Sequence, residues 1–289
     1  MKENRIAFFI IVGVLAFVGL LWYAFENPAI NPRLEQETYT IIRKWDMPSA
    51  LNEISGIRWI SKNKIACVQD EEGIIFIYNL STNLIEKKVR FGKPGDYEAI
   101  TTADSAAYVM ESSGRLFEIT NYLGTDPVTK EYKIPFSGKN NMESLVLDSL
   151  HNRVLFTVKD KDPNSDNQKG VYAFDLGTKK FNPLPILKIP LDDPIFKTKD
   201  TDDDIAPFTS FYPSDIAINP VNGNFYVLEG KHPQLLILDS LGKPLKIHRL
   251  YKKSFAQPEG LTFSPDGTLY ISNEGKNDAA NILEVEFEE

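Results

Sequence analysis

A strand-like run that opens on serine or glutamate occurs five times in this chain. It reads SGIRW at Ser55, EAITT at Glu98, ESLVL at Glu143, SDIAI at Ser214 and EGLTF at Glu259. Successive starts lie 43, 45, 71 and 45 residues apart. A unit of that length matches one four-stranded blade of a β-propeller. The long spacing holds one unit plus about 26 residues, too few for another blade, and is read as an insertion at about 185–212.

Each start is followed by a second apolar run: KIACVQDE, AAYVMES, RVLFTVKD, NFYVLEG and TLYISNE. The turns between them, such as SKNK, DSLHN, NPVNGN and SPDG, carry the residues that adopt turn conformations cheaply. Third runs follow as IIFIYNL, RLFEIT, GVYAFDL, QLLILDS and NILEVEF. Helical periodicity is almost absent after the first 37 residues, so the expectation is an all-β domain. The last unit lacks a fourth strand, and YTIIRKW at the start of the domain is the natural substitute, closing the ring. The predicted fold is a five-bladed β-propeller over residues 38–289. A six-bladed ring is the lesser alternative and would require the insertion to form a partial blade.

Antiparallel pairing places the start of strand one and the end of strand two on one face of a blade. Strand-one starts then bring Glu98, Glu143 and Glu259 to a common channel mouth, with Ser55 and Ser214 in the equivalent places and Asp215 next to Ser214. Strand-two ends add a second ring of Asp70, Glu111, Asp160, Glu229 and Glu274. Carboxylates gathered so closely raise one another's pKa or require a cation. Hard oxygen donors without thiolate or imidazole point to Ca²⁺, and less to Mg²⁺, which prefers a compact octahedron. Lys159, at a strand-two end, is the one cationic side chain this reading places near the mouth.

Two further acidic stretches stand out. DKDPNSDNQKG, from Asp160 to Gly170, has oxygens at alternate residues like a calcium loop, but Ser165 stands where such loops carry glycine. A plain polar loop is the favoured reading. DTDDDIAP, from Asp200 to Pro207, lies in the insertion and reads as flexible surface charge.

Before the repeats, Ile6 to Phe25 is an uncharged run of apolar and aromatic residues, preceded by Lys2 and Arg5 and ending with Trp22 and Tyr23. Its length suits a transmembrane helix; the run is long for a cleaved signal peptide and no small-x-small site follows. The expected organisation is a cytoplasmic tail (1–5), a single-pass anchor (6–25), a stalk (26–37) and an extracytoplasmic propeller on a cell membrane. Cys67, the single cysteine, sits inside an apolar run and reads as a small buried residue.

The net charge of −8 argues against nucleic acid as a partner, since that binding displaces counterions with a basic surface. Phosphate-loop, zinc-protease and serine-elbow motifs are absent. Three readings remain: a binding or sensing module for a divalent cation and an unidentified small-molecule or protein ligand; a metal-dependent hydrolase of phosphoesters or lactones; and an interaction platform whose acids stay hydrated.

EISGIRW, DYEAITT, MESLVLD, PSDIAINPVNGNFYVLE and QPEGLTFSPDGTLYISNE, in that order behind an apolar segment, resemble the SdiA-regulated, YjiK-like family of bacterial envelope propellers. The resemblance implies a five-bladed propeller anchored in the envelope, linked to Ca²⁺ and without a settled enzymatic activity. Its Ser-Gly and Glu-Gly strand starts carry onto Ser55, Glu98, Glu143, Ser214 and Glu259. Ala99, Ser144 and Asp215 depart from the usual glycine.

Overall fold

The computed structural model describes residues 2–26, 38–136, 139–196, 211–276 and 278–288, with side chains of the first helix over 11–23. The chain forms two compact units, Met1–Thr38 and Tyr39–Glu289. The first contains α1 (Lys2–Glu26). Among the described residues no helix is long and apolar enough to cross a membrane. The expected span over Ile6–Phe25 falls within α1, which among the described residues is a helix and not a membrane span. The expected stalk lies outside the described residues, apart from the helix's last residue.

The second unit is a five-bladed propeller of four-stranded antiparallel sheets. Blade one contains β2 (Ile54–Ser61), β3 (Lys64–Gln69), β4 (Ile74–Asn79) and β5 (Leu84–Arg90). Blade two contains β6 (Tyr97–Ala103), β7 (Ala106–Glu111), β8 (Arg115–Thr120) and β9 (Val128–Lys133). Blade three contains β10 (Val146–Asp148), β11 (Arg153–Thr157), β12 (Gln168–Asp175) and β13 (Lys180–Pro190). Blade four contains β14 (Pro213–Ile218), β15 (Phe225–Glu229), β16 (Gln234–Leu238) and β17 (Pro244–Arg249). Blade five contains β18 (Pro258–Phe263), β19 (Leu269–Asn273) and β20 (Asn281–Phe287), and its outer strand is β1 (Tyr39–Asp46) from the start of the unit. β1 pairs with β20 from Tyr39 opposite Phe287 to Asp46 opposite Asn281. The ring therefore closes as the sequence reading expected, and the sixth blade does not exist among the described residues.

Period-two side-chain alternation builds the core. In β3, Ile65 and Cys67 join the cluster shared with blade five, while Ala66 and Val68 join the one shared with blade two. β4 divides likewise: Ile74, Phe76 and Tyr78 go one way, Ile75 and Ile77 the other. Each of the five clusters thus joins two neighbouring blades. A strand buried on both faces reads as an unbroken apolar run, which is why alternation is faint in the sequence. Cys67 is fully buried and unpaired, as expected.

Every hairpin between strands one and two turns on a residue with positive φ: Asn63, Asp104, Asn152, Gly223 and Gly267. The expected insertion begins later than predicted, because β13 continues to Pro190. Leu191, Phe196 and Phe211 at its two ends are buried between blades three and four. The acidic stretch Asp200–Pro207 lies outside the described residues.

The five inner strands pack side by side around the axis, and two glycines allow the closest approach. A Cβ on Gly56 would lie 2.6 Å from the Ala99 Cα, and one on Gly260 would lie 2.5 Å from the Ser55 carbonyl oxygen. Both obstacles are backbone, so neither can turn aside. Gly260→Ala should therefore cost about 1–3 kcal/mol and lower the thermal midpoint by about 3–10 °C, measured by calorimetry. An unchanged midpoint would show that the inner strands have room to separate.

Candidate binding site at the channel mouth

In all five blades the start of the inner strand carries one extra residue. The ladder slips between Ile54 and Ile57, Tyr97 and Ala99, Pro213 and Asp215, and Pro258 and Gly260. In blade three it slips between the isolated Met142–Val158 bridge and the Val146–Leu155 pair. A bulge takes a residue out of the ladder and re-aims its side chain. Ser55, Glu98, Glu143, Ser214 and Glu259, the five positions picked out by the repeat, all lie within these slips.

The glutamates come together and the other candidates do not. Glu98 feels the charges of Glu143 and Glu259, and all three act on the Lys159 ammonium. Lys159 Nζ stands 2.5 Å from Glu143 Oε2, and Asn141 Nδ2 donates to the other oxygen at 2.8 Å. The Ser55 and Ser214 hydroxyls are buried and donate to carbonyls, Ser55 to Glu53 at 3.4 Å and Ser214 to Pro258 at 3.1 Å. Asp215 departs furthest from a ligand's role. It is buried, and it accepts backbone N–H groups from Leu145 at 3.3 Å, Ile216 at 2.8 Å and Leu261 at 2.7 Å. One carboxyl thereby ties the inner strands of blades four and five to the start of blade three's. Thr101 and Thr262 make similar ties, accepting from Leu147 at 3.1 Å and Trp59 at 3.0 Å.

The expected second ring needs a correction of one residue. Glu111 is paired with Tyr97 and Glu229 with Pro213 at the last rung of their blades. Their side chains turn to the loop that follows: Glu111 to Ser113 and Arg115, Glu229 to His232 (2.8 Å) and Gln234. The next residue along presents the opposite face. That register contains Asp70, Ser112, Lys159 and Glu274, whose N–H groups donate to the carbonyls of Glu53, Asp96, Asn141 and Gln257 at 3.4, 3.0, 2.8 and 3.0 Å. Asp70 and Glu274 therefore belong to the mouth, Glu111 and Glu229 precede it by one residue, and exposed Asp160 follows it by one.

These hydrogen bonds reveal a row two residues before each strand start: Glu53, Asp96, Asn141 and Gln257. Its side chains engage the mouth. Glu53 bonds to Glu274, Asp96 to Glu98 and to the Ser112 hydroxyl, and Gln257 to Glu274. The offset of two was legible in the repeat, but a mixture of acid and amide hides it when glutamates alone are followed.

Contacts between carboxyl groups require protons, and the mouth retains them. Burial, Glu143 and Asp96 push Glu98 up to about 10. Burial and Glu143 push Glu259 up to about 8, against the pull of Lys159. Glu143 rises to about 7 from burial, with Lys159 opposing. Glu274 rises to about 7 and Asp70 to about 6, each from burial and then Glu53. Burial works to lower Lys159, but Glu143, Glu259 and Glu98 outweigh it and hold the ammonium charged.

The calcium-like loop after β11 closes on itself. Asp162 is buried and accepts from Asn164 N at 2.8 Å, Gly170 N at 2.6 Å and the Tyr172 hydroxyl at 2.8 Å. Its oxygens organise the loop, in line with the polar-loop reading. Among the described residues, no group of three or more His, Cys, Asp or Glu side chains is placed to hold a metal ion.

An acid whose pKa is raised by folding binds its proton more tightly in the native state, so stability falls as pH climbs from the unfolded to the folded value. For this mouth the window opens near 4.5 and extends through the values of 7 to 10 above. The thermal midpoint should fall by about 3–8 °C between pH 5 and pH 8, and Glu98→Gln should flatten that slope. A midpoint that rises with pH over this range, followed by scanning calorimetry, would contradict the arrangement.

Comparison with solved structures supports the fold. The glutaminyl cyclase of Myxococcus xanthus superposes with a TM-score of 0.58 at 12% identity, over 86% of this chain and 95% of that one. A luciferin-regenerating enzyme gives 0.50 at 13% identity, over 81% and 91%. No curated protein matches the chain. The family model described as SdiA-regulated matches residues 33–277. With most of its length inside that match and its inner-strand starts in the expected places, the chain belongs to the SdiA-regulated family.

Proposed function

We propose that the propeller is a binding or sensing module whose acidic channel mouth takes a cation, a calcium ion in preference to magnesium. One observation carries this reading: Glu98, Glu143 and Glu259 stand on bulges around the Lys159 ammonium, with their proton affinities raised by burial and by neighbouring carboxylates. Such a cluster gains from any added positive charge. The oxygen donors suit calcium chemically, but with Lys159 in place their spacing is not that of a ready chelate. A divalent ion would have to compete with that ammonium. A position outside the cytoplasm belongs to the same proposal; it rests on the uncharged sequence Ile6–Phe25, and cell fractionation tests it.

Isothermal titration of the full chain with CaCl₂ and MgCl₂ tests the cation. Calcium should bind more tightly than magnesium, Lys159→Met should tighten calcium by about tenfold or more, and Glu98→Gln with Glu259→Gln should abolish it. No calcium binding by either the native chain or Lys159→Met would remove the assignment.

A second reading is hydrolysis of phosphoesters or lactones, favoured by Glu143 near 7 beside a lysine, where a carboxyl can both give and take a proton. Substrate screening with and without calcium separates the two: turnover that disappears in Glu259→Gln supports the enzyme, and its absence leaves the binding module.

A further inference from the structure

The inner strands run from the acidic mouth to a second opening, and the chemistry there has the opposite sign. Arg58 lies near the far end of β2 and lines a cavity of about 520 Å³ with Trp59, Lys62, Thr102, Phe263 and Pro265. Its Nε is buried and has no hydrogen-bond partner, and among the described residues its guanidinium makes no ion pair. Burial works against its charged form, and Tyr122 and Asp215 only partly oppose that. Asp215 is occupied by its three backbone donors.

A buried polar atom left without a partner is uncommon in native proteins. Every arginine of the first two blades other than Arg58 meets a carboxylate, Arg90 at Glu72 and Arg115 at Glu111. The planar guanidinium matches the two oxygens of a carboxylate or phosphate. Around it, Trp59, Phe263 and Pro265 supply apolar walls, and exposed Lys62 at the rim adds a second positive charge. The volume lies in the range of small-molecule sites.

We propose that this opening is a second binding site, for a small molecule that presents a carboxylate or phosphate on an apolar body, with Arg58 as its anchor. The site is separate from the acidic mouth and does not depend on what binds there. Phenyl phosphate and benzoate share an aromatic body and differ in the oxyanion, so together they identify the preferred group.

Titration calorimetry of the full chain with each probe provides the test. At least one should bind, more weakly in high salt, and Arg58→Met should lose about tenfold or more in affinity. Lys130→Ser, exposed on the outer strand β9, should bind as the native chain does. Lys62→Ser changes only an exposed side chain and should weaken the same probe, which keeps the test decisive if Arg58→Met folds poorly. Failure of both probes to bind, or binding unaltered by Arg58→Met and Lys62→Ser, would overturn the proposal.

Discussion

The structure depends on how closely five inner strands can approach around one axis. Where a Cβ would strike a neighbouring backbone, at Gly56 and Gly260, the chain uses glycine. Asp215, Thr101 and Thr262 then accept N–H groups from adjacent blades, so the ring is held by hydrogen bonds between blades as well as by apolar packing. An inner strand is an edge of its own sheet, and an unsatisfied edge N–H in a buried channel would be costly. These side chains remove that cost. The repeated bulge follows from the same crowding: one residue at each strand start leaves the ladder and turns to the axis.

That geometry decides which carboxylates meet. Three bulge glutamates, with the row two residues earlier, gather around Lys159, and Lys276 also acts on Glu259. Burial and neighbouring carboxylates raise the proton affinity of these acids, and Lys159 offsets part of their charge. An ammonium is a weaker partner for several carboxylates than a divalent ion, which can engage more oxygens at once. Lys159 therefore both stabilises the mouth and competes for it, and a cation site built this way would respond to pH.

How much of this could be read from the sequence varied with the scale. Blade number, the turn residues and closure by β1 followed from the period, because each blade must fit between two neighbours and so keeps its length. Glu98, Glu143 and Glu259 could be placed because a bulge recurs at a fixed point in the unit. Glu111 and Glu229 could not, since a one-residue difference in where strand two ends reverses a side chain's face. Asp215 stands beside Ser214 and so reads as a ligand, yet its oxygens serve the adjacent Ile216 N–H and two backbone donors distant in sequence, Leu145 and Leu261. Such a role is set by tertiary contacts and leaves no local pattern. Arg58 escaped notice for a related reason: its importance lies in the partner it lacks.

The two ends of the channel can be understood together. Both openings are formed by the same five strands, but the starts carry bulges that admit long acids, while the far ends run into tight hairpins with turn residues such as Asn63, Gly223 and Gly267. The long acids on the bulges therefore gather at the first opening, and the cavity beside Arg58 at the second is lined by no carboxylate. At the second, a single arginine extends from β2 into a space that offers it no carboxylate contact. A propeller with an acid-rich opening and a guanidinium without an ion pair at the other end presents two surfaces of opposite charge. Asp215 lies between them, binding strands together and acting on Arg58 from a distance. A change at Asp215 would then disturb the strand contacts that shape both openings.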